Sequence, residues 1–429
     1  MKRREFLAGM AAAVATSHAF THASASPRFS PDDNQLLDEI QQACWRFFWE
    51  NTDAVTGLVK DRSHADGPDE RPIASIAAVG FGLAATCVAV QRDYVDRAAA
   101  GDRVRAALRF FWESFPHEHG FYYHFADSKT GERAFRSEVS SIDSTLLLCG
   151  ILTCRQYFDD PEIRRLATQI YQRMDWPWML NGGPTLSHGW KPETGFLASR
   201  WNHYSEHMMI DLLAIGSPTH PIPATVWDAW ERPRYHLYGQ DYIGSPAPLF
   251  VHQFSHAWFD FRRRHDRYAD YFENSIRATK AHRSFCLALK HEFPDYAPDL
   301  WGITASDSAH GYVAWGGPPE KGKIDGSIVP AASAGSLPFL SGDCMRVLRR
   351  LRKEFGDRIW KRYGFVDAFN PLTGWIDRDV VGIDVGITLL MAENARSGML
   401  WDVFMKNPEA RNAMNAVGFR PPWKEKVAT

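Results

Sequence analysis

The strongest constraint on the fold is a recurrence of apolar segments with helical spacing, roughly ten to twelve of them along the chain. They are joined alternately by short turns and by long loops rich in aromatic residues. Because one helix cannot bury its apolar face alone, helices that recur in this way pair into hairpins. The pattern predicts an all-α fold, an (α/α)6 toroid of six helical hairpins whose long loops form a cleft on one face. No strict repeat is visible, so an irregular helical array stays open as the alternative.

The spacing of apolar residues also gives expected helix positions. The predicted helices cover residues 34–51, 73–92, 103–115, 138–157, 162–174, 201–215, 250–261, 269–290, 341–363, 385–398, 400–406 and 409–416.

The first 25 residues predict export rather than fold. Lys2-Arg3-Arg4 precedes a modest apolar run, and Ala23-Ser24-Ala25 provides a small-residue cleavage site. The run is too short to anchor the chain in a membrane. We expect a twin-arginine signal peptide at residues 1–25, a single catalytic domain at 26–429, and a periplasmic or secreted product. A basic N-terminus arising by chance is the alternative.

Composition narrows the class of partner. The formal net charge is −2 and no basic block occurs, so nucleic acid and an anionic membrane are poor partners. The chain has 16 tryptophans, which favour a carbohydrate-binding cleft because indole suits amphipathic binding surfaces. The six cysteines contain no CxxC pair and predict mostly buried thiols, with at most one or two disulfides. We expect a monomer.

Residues 200–223 contain the first candidate for chemistry. The second half is apolar with helical spacing and ends at a Gly-Ser-Pro stop. The first half combines Trp201, Asn202, Tyr204 and Glu206, and on a helix Asn202 and Glu206 would share a face. An aromatic ring, an amide and a carboxyl together suit a sugar site, in which the carboxyl moves a proton. The alternative is an exposed or paired glutamate in a first helical turn.

Two aspartates stand at the entrances of predicted helices. Asp143 precedes Leu146-Leu147-Leu148, and Asp384 lies between two glycines before another apolar run. The inner helices of a toroid present their N-terminal ends to the cleft, so both carboxyls could line it. The alternative is an early-turn acid stabilised by the helix dipole.

Other chemistries have little support. His252 and His256 have the spacing of a zinc helix, but Gln253 stands where a metalloprotease motif has glutamate. Binding of a sugar hydroxyl, or a buried hydrogen bond, is the preferred interpretation of both histidines. The chain has no G-x-S-x-G, G-x-G-x-x-G or Walker motif. We therefore expect no metal and no cofactor.

Together these residues resemble the bacterial glycoamylase-like domain family, which includes endo-β-1,2-glucanase glycoside hydrolases acting on cyclic or linear β-1,2-glucan. The resemblance rests on Ser141-Ile142-Asp143, Trp201-Asn202-x-Tyr204-x-Glu206, Gly216-Ser217-Pro218-Thr219-His220-Pro221, His252-Gln253-Phe254-Ser255-His256-x-Trp258, Trp301-Gly302-Ile303-Thr304-Ala305-Ser306-Asp307, Asp325-Gly326, Ala334-Gly335-Ser336-Leu337-Pro338-Phe339 and Gly382-Ile383-Asp384. It implies an (α/α)6 toroid and hydrolysis of a glucan, most simply β-1,2-glucan.

The resemblance also implies roles for individual residues. Glu206 matches the suspected general acid, while Asp384 first and Asp143 second match candidates for the base. Carboxyls on different inner helices would be too far apart for a retaining nucleophile, so we expect inversion. The expected substrate-binding residues are Trp201, Asn202, Tyr204, His252, His256, Trp258, Arg262, Trp301, Asp307 and Tyr312, with Arg262 equally able to pair with Asp260. A polysaccharide lyase on a similar toroid and a non-catalytic glycan-binding protein remain alternatives.

Overall fold

The computed structural model describes residues 29–246, 248–318 and 322–421. The predicted signal peptide at residues 1–25 lies outside the described residues.

Helices dominate the described part of the chain. The α-helices are α1 Pro31–Glu50, α2 Ile76–Gln91, α3 Arg97–Glu113, α4 Ser141–Tyr157, α5 Pro161–Arg173, α6 Trp176–Leu180, α7 Met208–Ile215, α8 Phe254–Trp258, α9 Tyr271–Ala288, α10 Pro330–Ala334, α11 Ser341–Arg350, α12 Gly382–Arg396, α13 Met399–Phe404 and α14 Pro408–Ala416. Short 3₁₀ helices lie at Ala224–Asp228, Leu249–His252, Leu289–His291 and Gly356–Arg358, and a π-helical turn lies at Leu351–Phe355.

The strands are short and pair in twos and threes. They are β1 Arg62–His64, β2 Ile73–Ser75, β3 His117–Glu118, β4 Phe121–Tyr122, β5 Phe125–Asp127, β6 Val139–Ser140, β7 Gly189–Lys191, β8 Gly195–Phe196, β9 Arg234–Leu237, β10 Gln240–Ile243, β11 Trp360–Lys361, β12 Gly364–Phe365 and β13 Asp379–Val381. The pairs are antiparallel: β1 with β13, β2 with β5, β3 with β4, β9 with β10, β11 with β12, and β7 between β6 and β8.

The helices divide into a buried set and an amphipathic set. In α2 and α12 almost every residue is buried, and α4 and α7 are nearly as enclosed. By contrast α1, α5 and α11 bury one face and expose charged residues on the other. Helices that are apolar all round must be enclosed by others, so the amphipathic helices form an outer layer around them. This helix-rich arrangement is consistent with the predicted α/α toroid.

Two glycine contacts bring the buried helices unusually close. A Cβ atom at Gly80 of α2 would collide with the Leu146 carbonyl of α4, and one at Gly150 would collide with the Gly80 carbonyl. A Cβ at Gly386 of α12 would overlap the ring of Phe81 in α2. The glycines therefore allow α4 and α12 to pack directly against α2 on either side, as the small residues of this segment predicted.

The short strands place the beginnings of these helices on one face. Strands β2, β6 and β13 each lead directly into α2, α4 and α12. Residue Ile76 donates its N–H to the His124 carbonyl at 3.2 Å, and Gly382 donates to the Asp61 carbonyl at 2.7 Å. The N-terminal ends of three buried helices, with Asp143 and Asp384 in their first turns, therefore lie beneath one layer of loops and strands.

The helix predicted for residues 201–215 is wrong in its first half, which contains the candidate acid Glu206. Residues 201–206 are not helical, and α7 begins only at Met208. Their backbone groups bond to other segments instead: the Tyr204 N–H donates to the Glu231 carbonyl and the Glu231 N–H to the Asn202 carbonyl. Asn202 and Glu206 consequently do not share a helical face.

Two further helices are shorter than predicted. Residues 250–261 form a 3₁₀ turn followed by the five residues of α8. The helix predicted for 341–363 ends at Arg350, passes through a π-helical turn, and stops at Gly356, whose φ of 43° breaks the helical path. Strand β11 follows, so the apolar spacing of the sequence had continued past the true helix end.

All six cysteines fall within the described residues, and each is a buried free thiol. Even the nearest pair, Cys87 and Cys154, has its sulfur atoms 3.7 Å apart, which is a van der Waals contact and not a disulfide. Among the described helices none has the combination of length and apolar character needed to cross a bilayer.

Candidate active site

Glu206 lies in the turn directly before α7, where its carboxyl is nearly enclosed. Only 8% of the residue is exposed. Burial raises the pKa of Glu206, and the negative charge of Asp143 raises it further, against the opposing hydrogen bond from the Ser205 hydroxyl. A carboxyl in this environment keeps its proton at a higher pH than an ordinary glutamate, which is the property required of a general acid.

Asp143 in the first turn of α4 belongs to an ion-paired set with His124 and Glu138. The His124 imidazole lies between two carboxylates, with Nδ1 at 3.3 Å from Glu138 and Nε2 at 3.4 Å from Asp143. Burial opposes protonation of His124, but the charges of Asp143 and Glu138 outweigh it and raise its pKa. The hydrogen bond from His124 lowers the pKa of Glu138 to about 2. We call His124, Glu138, Asp143 and Glu206 the Glu206 group.

A second set of acids surrounds Asp384 in the first turn of α12. Its Oδ2 atom is buried and has no hydrogen-bond partner within the part of the chain that the structure describes. Burial raises the pKa of Asp384, and the charges of Asp307 and Asp61 add to the rise, while Asp367 and Arg62 oppose it. We call Asp61, Asp307, Asp367, Asp377 and Asp384 the Asp384 group.

The other members of the Asp384 group have few cations to offset them. Arg62 donates to Asp307 at 2.6 Å. Burial raises the pKa of Asp367, as does the charge of Asp384, and burial with the charge of Asp367 raises the pKa of Asp377 to about 7. Like charges in a buried site cannot all ionise together, so this group holds protons.

The two groups are electrostatic neighbours. The negative charge of Asp61 raises the pKa of His124 in the first group and of Asp384 in the second. Tyr312 stands on the other side, with half of its surface exposed, while burial and the charges of Asp384 and Asp367 raise the pKa of its hydroxyl. Tyr312 is therefore partly exposed to solvent while its hydroxyl lies near the acids of the Asp384 group.

Two sets of side chains could in principle hold a metal ion. Within the described residues, the ligand atoms of His124, Glu138 and Asp143 lie within 4.8 Å of one another, as do those of Asp307, Asp367 and Asp377. In the first set the His124 imidazole already lies between the two carboxyls, at 3.3 Å from Glu138 and 3.4 Å from Asp143. In the second, shared protons account for the same closeness of carboxyls.

The structure brings five of the predicted site residues together in or beside these two groups. They are Glu206, Asp143, Asp384, Asp307 and Tyr312. Asp143 and Asp384 both lie in the first turns of buried helices.

The prediction that Tyr204, His256, Trp258 and Trp301 contact a sugar is wrong for this structure, because all four are fully buried. Tyr204 contacts His252 Nδ1 through its hydroxyl at 3.1 Å, and His256 Nε2 contacts the Ser275 hydroxyl at 3.0 Å. Burial lowers the pKa of both histidines to about 3, so they are neutral core residues. Both tryptophans pack in the hydrophobic core, and their buried indole N–H groups have no hydrogen-bond partner among the described residues.

Two further predicted contact residues are engaged with other protein groups. The Trp201 ring stacks with the rings of His188 at 3.9 Å and His207 at 5.6 Å, and its N–H donates to the Ser141 hydroxyl. Arg262 pairs with Asp260 at 2.8 Å, the alternative that the sequence left open.

Asn202 is the exception among these contacts because it is exposed, although its Oδ1 already accepts from the Thr185 hydroxyl. The amide nitrogen of Asn202 is therefore available to a ligand without rearrangement of the core.

Sequence reasoning missed His124, Glu138, Asp367 and Asp377. His124, Asp367 and Asp377 lie outside the predicted helices, and Glu138 is the first residue of the helix predicted for 138–157 but lies in the loop before β6. The aromatic run at residues 120–125 was the one available signal for His124. The proximity of the two acid groups depends on strand pairings across hundreds of residues, which local spacing cannot reveal.

Comparison with known proteins agrees with the geometry. The glycoamylase family model, described as "Putative glucoamylase", matches residues 198–408. The exo beta-1,2-glucooligosaccharide sophorohydrolase (non-reducing end) of Parabacteroides distasonis is 27% identical over 427 residues. That match covers 90% of this chain but 58% of the relative, so the chain spans less than two thirds of the relative's length.

Solved structures show the same fold over nearly their whole length. A putative glucoamylase from Bacteroides uniformis superposes with a TM-score of 0.85 at 29% identity, covering 92% of this chain and 99% of that one. An endo-beta-1,2-glucanase from Chitinophaga pinensis, in complex with sophorotriose and glucose, gives 0.83 at 27% identity, covering 90% and 98%. The resemblance predicted from the sequence is confirmed, and the chain carries a glycoamylase-like domain.

Proposed function

We propose that this chain is a glycoside hydrolase that cleaves β-1,2-linked glucan in the cleft between the Glu206 and Asp384 groups. The observation that carries the proposal is a buried, proton-holding Glu206 that shares one cleft with a second, separate set of carboxyls. Hydrolysis of a glycosidic bond needs this combination of one acid and one base. The choice of β-1,2-glucan rests on the two relatives named for that linkage.

Glu206 is the proposed general acid. Its raised pKa favours the protonated carboxyl, which can give a proton to the oxygen of the leaving sugar. The adjacent Asp143 strengthens this property because a second negative charge beside Glu206 disfavours its ionisation.

Asp384 is the proposed base, with Asp143 as the second choice. The buried Oδ2 of Asp384 has no partner within the described residues, so it is available to accept a proton from water. Asp143, in contrast, already accepts from the Ser140 hydroxyl at 2.5 Å and pairs with His124. Since Asp384 and Glu206 are on different helical segments, we propose inversion of the anomeric centre, with water between base and sugar.

The architecture that we propose is a six-hairpin (α/α)6 toroid forming one catalytic domain within residues 26–429. The six enclosed helices α2, α4, α7, α8, α10 and α12 support this count as an inner ring. Export by a twin-arginine signal to the periplasm, and action as a monomer, remain proposals that rest on the sequence.

The alternative of a polysaccharide lyase has less support. A lyase acting on a uronate needs a free cation and a Tyr or His base. Arg200 is engaged with the carbonyls of Leu180 and Thr185, and Tyr204 and His207 are fully buried. A purely glycan-binding role would leave the raised pKa of Glu206 without a use.

The test is incubation of the mature protein with a panel of glucans that includes β-1,2-glucan, beside Glu206→Gln. We expect oligosaccharides from the wild type and a fall in turnover of about 10²–10⁴-fold in Glu206→Gln, because the amide cannot donate a titratable proton. Glu231→Gln is the matched control, since Glu231 lies beside the same segment but is exposed and pairs with His203.

Products would be followed by mass and by anomeric proton NMR. Inverted configuration at first release supports Asp384 or Asp143 as the base. Retained configuration would contradict inversion, and unimpaired cleavage by Glu206→Gln would remove Glu206 from the mechanism.

A further inference from the structure

A tight turn at Ala134–Ser137 has an unusual sequence. The Ser137 N–H donates to the Ala134 carbonyl at 3.0 Å, and the two central residues, Phe135 and Arg136, have φ values of 53° and 48°. This hydrogen bond with two positive φ values identifies a type I′ β-turn. Such turns strongly favour Asn-Gly or Asp-Gly, because other side chains are strained at positive φ.

Phe135 is unfavourable in this turn for a second reason. The residue is 72% exposed, so its ring gains little from burial. A bulky aromatic residue thus occupies a position where glycine or asparagine would be more stable and where its own apolar surface faces water. Strain combined with exposure at one residue points to a role in binding.

Hydrogen bonds from neighbouring segments hold both ends of this turn. The Ser137 hydroxyl donates to the Phe125 carbonyl and accepts from the Phe125 N–H, both at 3.2 Å. The Arg133 guanidinium donates to the Ser137 carbonyl at 2.6 Å and to Glu193 at 2.8 Å. Because these bonds fix both ends of the turn, the Phe135 ring is presented in a defined place without needing to be packed.

A short series of ring contacts leads from this turn to the acids. Phe135 meets the Phe125 ring edge-on at 5.7 Å, and Phe125 stacks on the His124 ring at 3.7 Å. His124 in turn pairs with Asp143 of the Glu206 group. The exposed ring is therefore two ring contacts away from His124, which pairs with Asp143.

We propose that Phe135 and Arg136 form an outer subsite that binds a glucosyl unit of the substrate chain remote from the bond being cleaved. The apolar face of a pyranose, made of C–H groups, suits the exposed phenyl ring. The Arg136 guanidinium is 80% exposed and only loosely paired with Glu193, at 3.7 Å through Nε, so its other N–H groups can donate to sugar hydroxyls. This inference rests on the proposed glucanase function and makes the site selective for long chains over short ones.

The test is a double substitution, Phe135→Asn with Arg136→Gly, which installs the favoured Asn-Gly pair. We expect the thermal midpoint to rise because the turn is relieved of strain. At the same time kcat/KM on polymeric β-1,2-glucan should fall about 3- to 10-fold, as expected for loss of one aromatic contact. Cleavage of the shortest oligosaccharide that is still hydrolysed should stay within twofold of wild type, since it does not reach the subsite.

The matched control is Tyr238→Asn. Tyr238 also sits at positive φ in a two-residue turn, between β9 and β10, is 45% exposed and is followed by Gly239. Its ring contacts Phe285 instead of the residues around the acids. This variant should gain stability in the same way without a change in kcat/KM on the polymer.

The outcomes separate the two proposals. A more stable double variant that loses activity on polymer alone supports the subsite. Equal activity of the double variant and wild type on polymer, or equal losses on long and short chains, overturns it while leaving the hydrolase proposal intact. A wild type that neither cleaves nor binds β-1,2-glucan overturns both.

Discussion

The two acid groups of the cleft solve the same electrostatic problem in different ways. In the Glu206 group a cation lies between carboxylates, since His124 contacts both Glu138 and Asp143. In the Asp384 group Arg62 pairs with two of the five aspartates, Asp61 and Asp307. Asp367, Asp377 and Asp384 each retain a buried oxygen without a partner among the described residues. Charge is balanced by an ion pair in the first group and by protons in the second.

This difference bears on catalysis. Asp143 is held in position by His124 Nε2 at 3.4 Å and by the Ser140 hydroxyl at 2.5 Å. A carboxyl that shares protons with neighbours, such as Asp384, can change its charge at a moderate energetic cost. We infer that Asp143 sets the environment of the acid Glu206, whereas the Asp384 group receives the proton taken from water.

The largest expected effect comes from removing the proposed base, Asp384, and comparing the result with removal of Asp143. Asp384→Asn should reduce kcat on β-1,2-glucan by about 10²–10⁴-fold, because the amide cannot accept the proton of water. Asp143→Asn keeps a group of the same shape beside His124 and should cost less, about 10-fold, through a changed pKa of Glu206. Steady-state kinetics of both variants, at equal protein stability, measure the ratio.

A substrate with an activated leaving group tells base from acid. A nitrophenyl leaving group departs without a proton, so Glu206→Gln should recover much of its rate on an aryl β-1,2-glucoside. Asp384→Asn should remain impaired on both substrates, since water must still be activated. If Asp143→Asn proved the more damaging of the two aspartate variants, the roles of the groups would have to be exchanged.

A smaller effect is expected from removing the cation of the Glu206 group. His124→Gln leaves the charge of Asp143 uncompensated, and a less compensated negative neighbour raises the pKa of Glu206 further. The alkaline limb of the kcat profile should therefore move to higher pH, with a loss of about 10-fold in kcat from poorer positioning. A pH–rate series from 4 to 9 measures the limb, and an unmoved or lowered limb would contradict the assigned link.

How much of this site the sequence predicts depends on where each residue lies. Asp143 and Asp384 were found because helix entrances are marked by local features, namely an apolar run after a capping or glycine-rich segment. Glu206 was found for a wrong reason: the supposed helix at 201–206 is a segment bonded to Glu231, and the residue reaches the cleft as part of a turn. A sequence pattern located the carboxyl but not the backbone that presents it.

The partners of these acids were beyond such reasoning. His124 and Asp377 enter through strand pairings and loops that join distant parts of the chain, and neither has a helical neighbour pattern. Conversely, Trp258 and Trp301 looked like sugar-stacking residues because composition alone does not distinguish a buried indole from an exposed one. Local propensity therefore gave the helices and their entrances, while burial and charge pairing required the assembled fold.

The smallest expected effect is a change in thermal stability when Asp377 of the Asp384 group is replaced, which tests whether this group is balanced by protons. The folded-state pKa of Asp377 is raised to about 7 by burial and by the charge of Asp367, whereas an unfolded aspartate titrates near about 4. The stabilising contribution of this group is thus fully present below about pH 4 and is lost as pH rises through about 7. Asp377→Asn removes the ionisation, while the amide oxygen can still accept from the Asp379 N–H as Asp377 does at 3.1 Å.

The variant should therefore exceed wild type in thermal midpoint at pH 8 by about 1–3 °C, with no difference near pH 4. Thermal unfolding at both pH values, with and without EDTA, measures it. A wild type that is destabilised by EDTA would mean that a bound cation, and not shared protons, balances this group. An equal midpoint for variant and wild type at pH 8 would mean that Asp377 is adequately solvated, which would leave Asp367 and Asp384 as the pair that exchanges the catalytic proton.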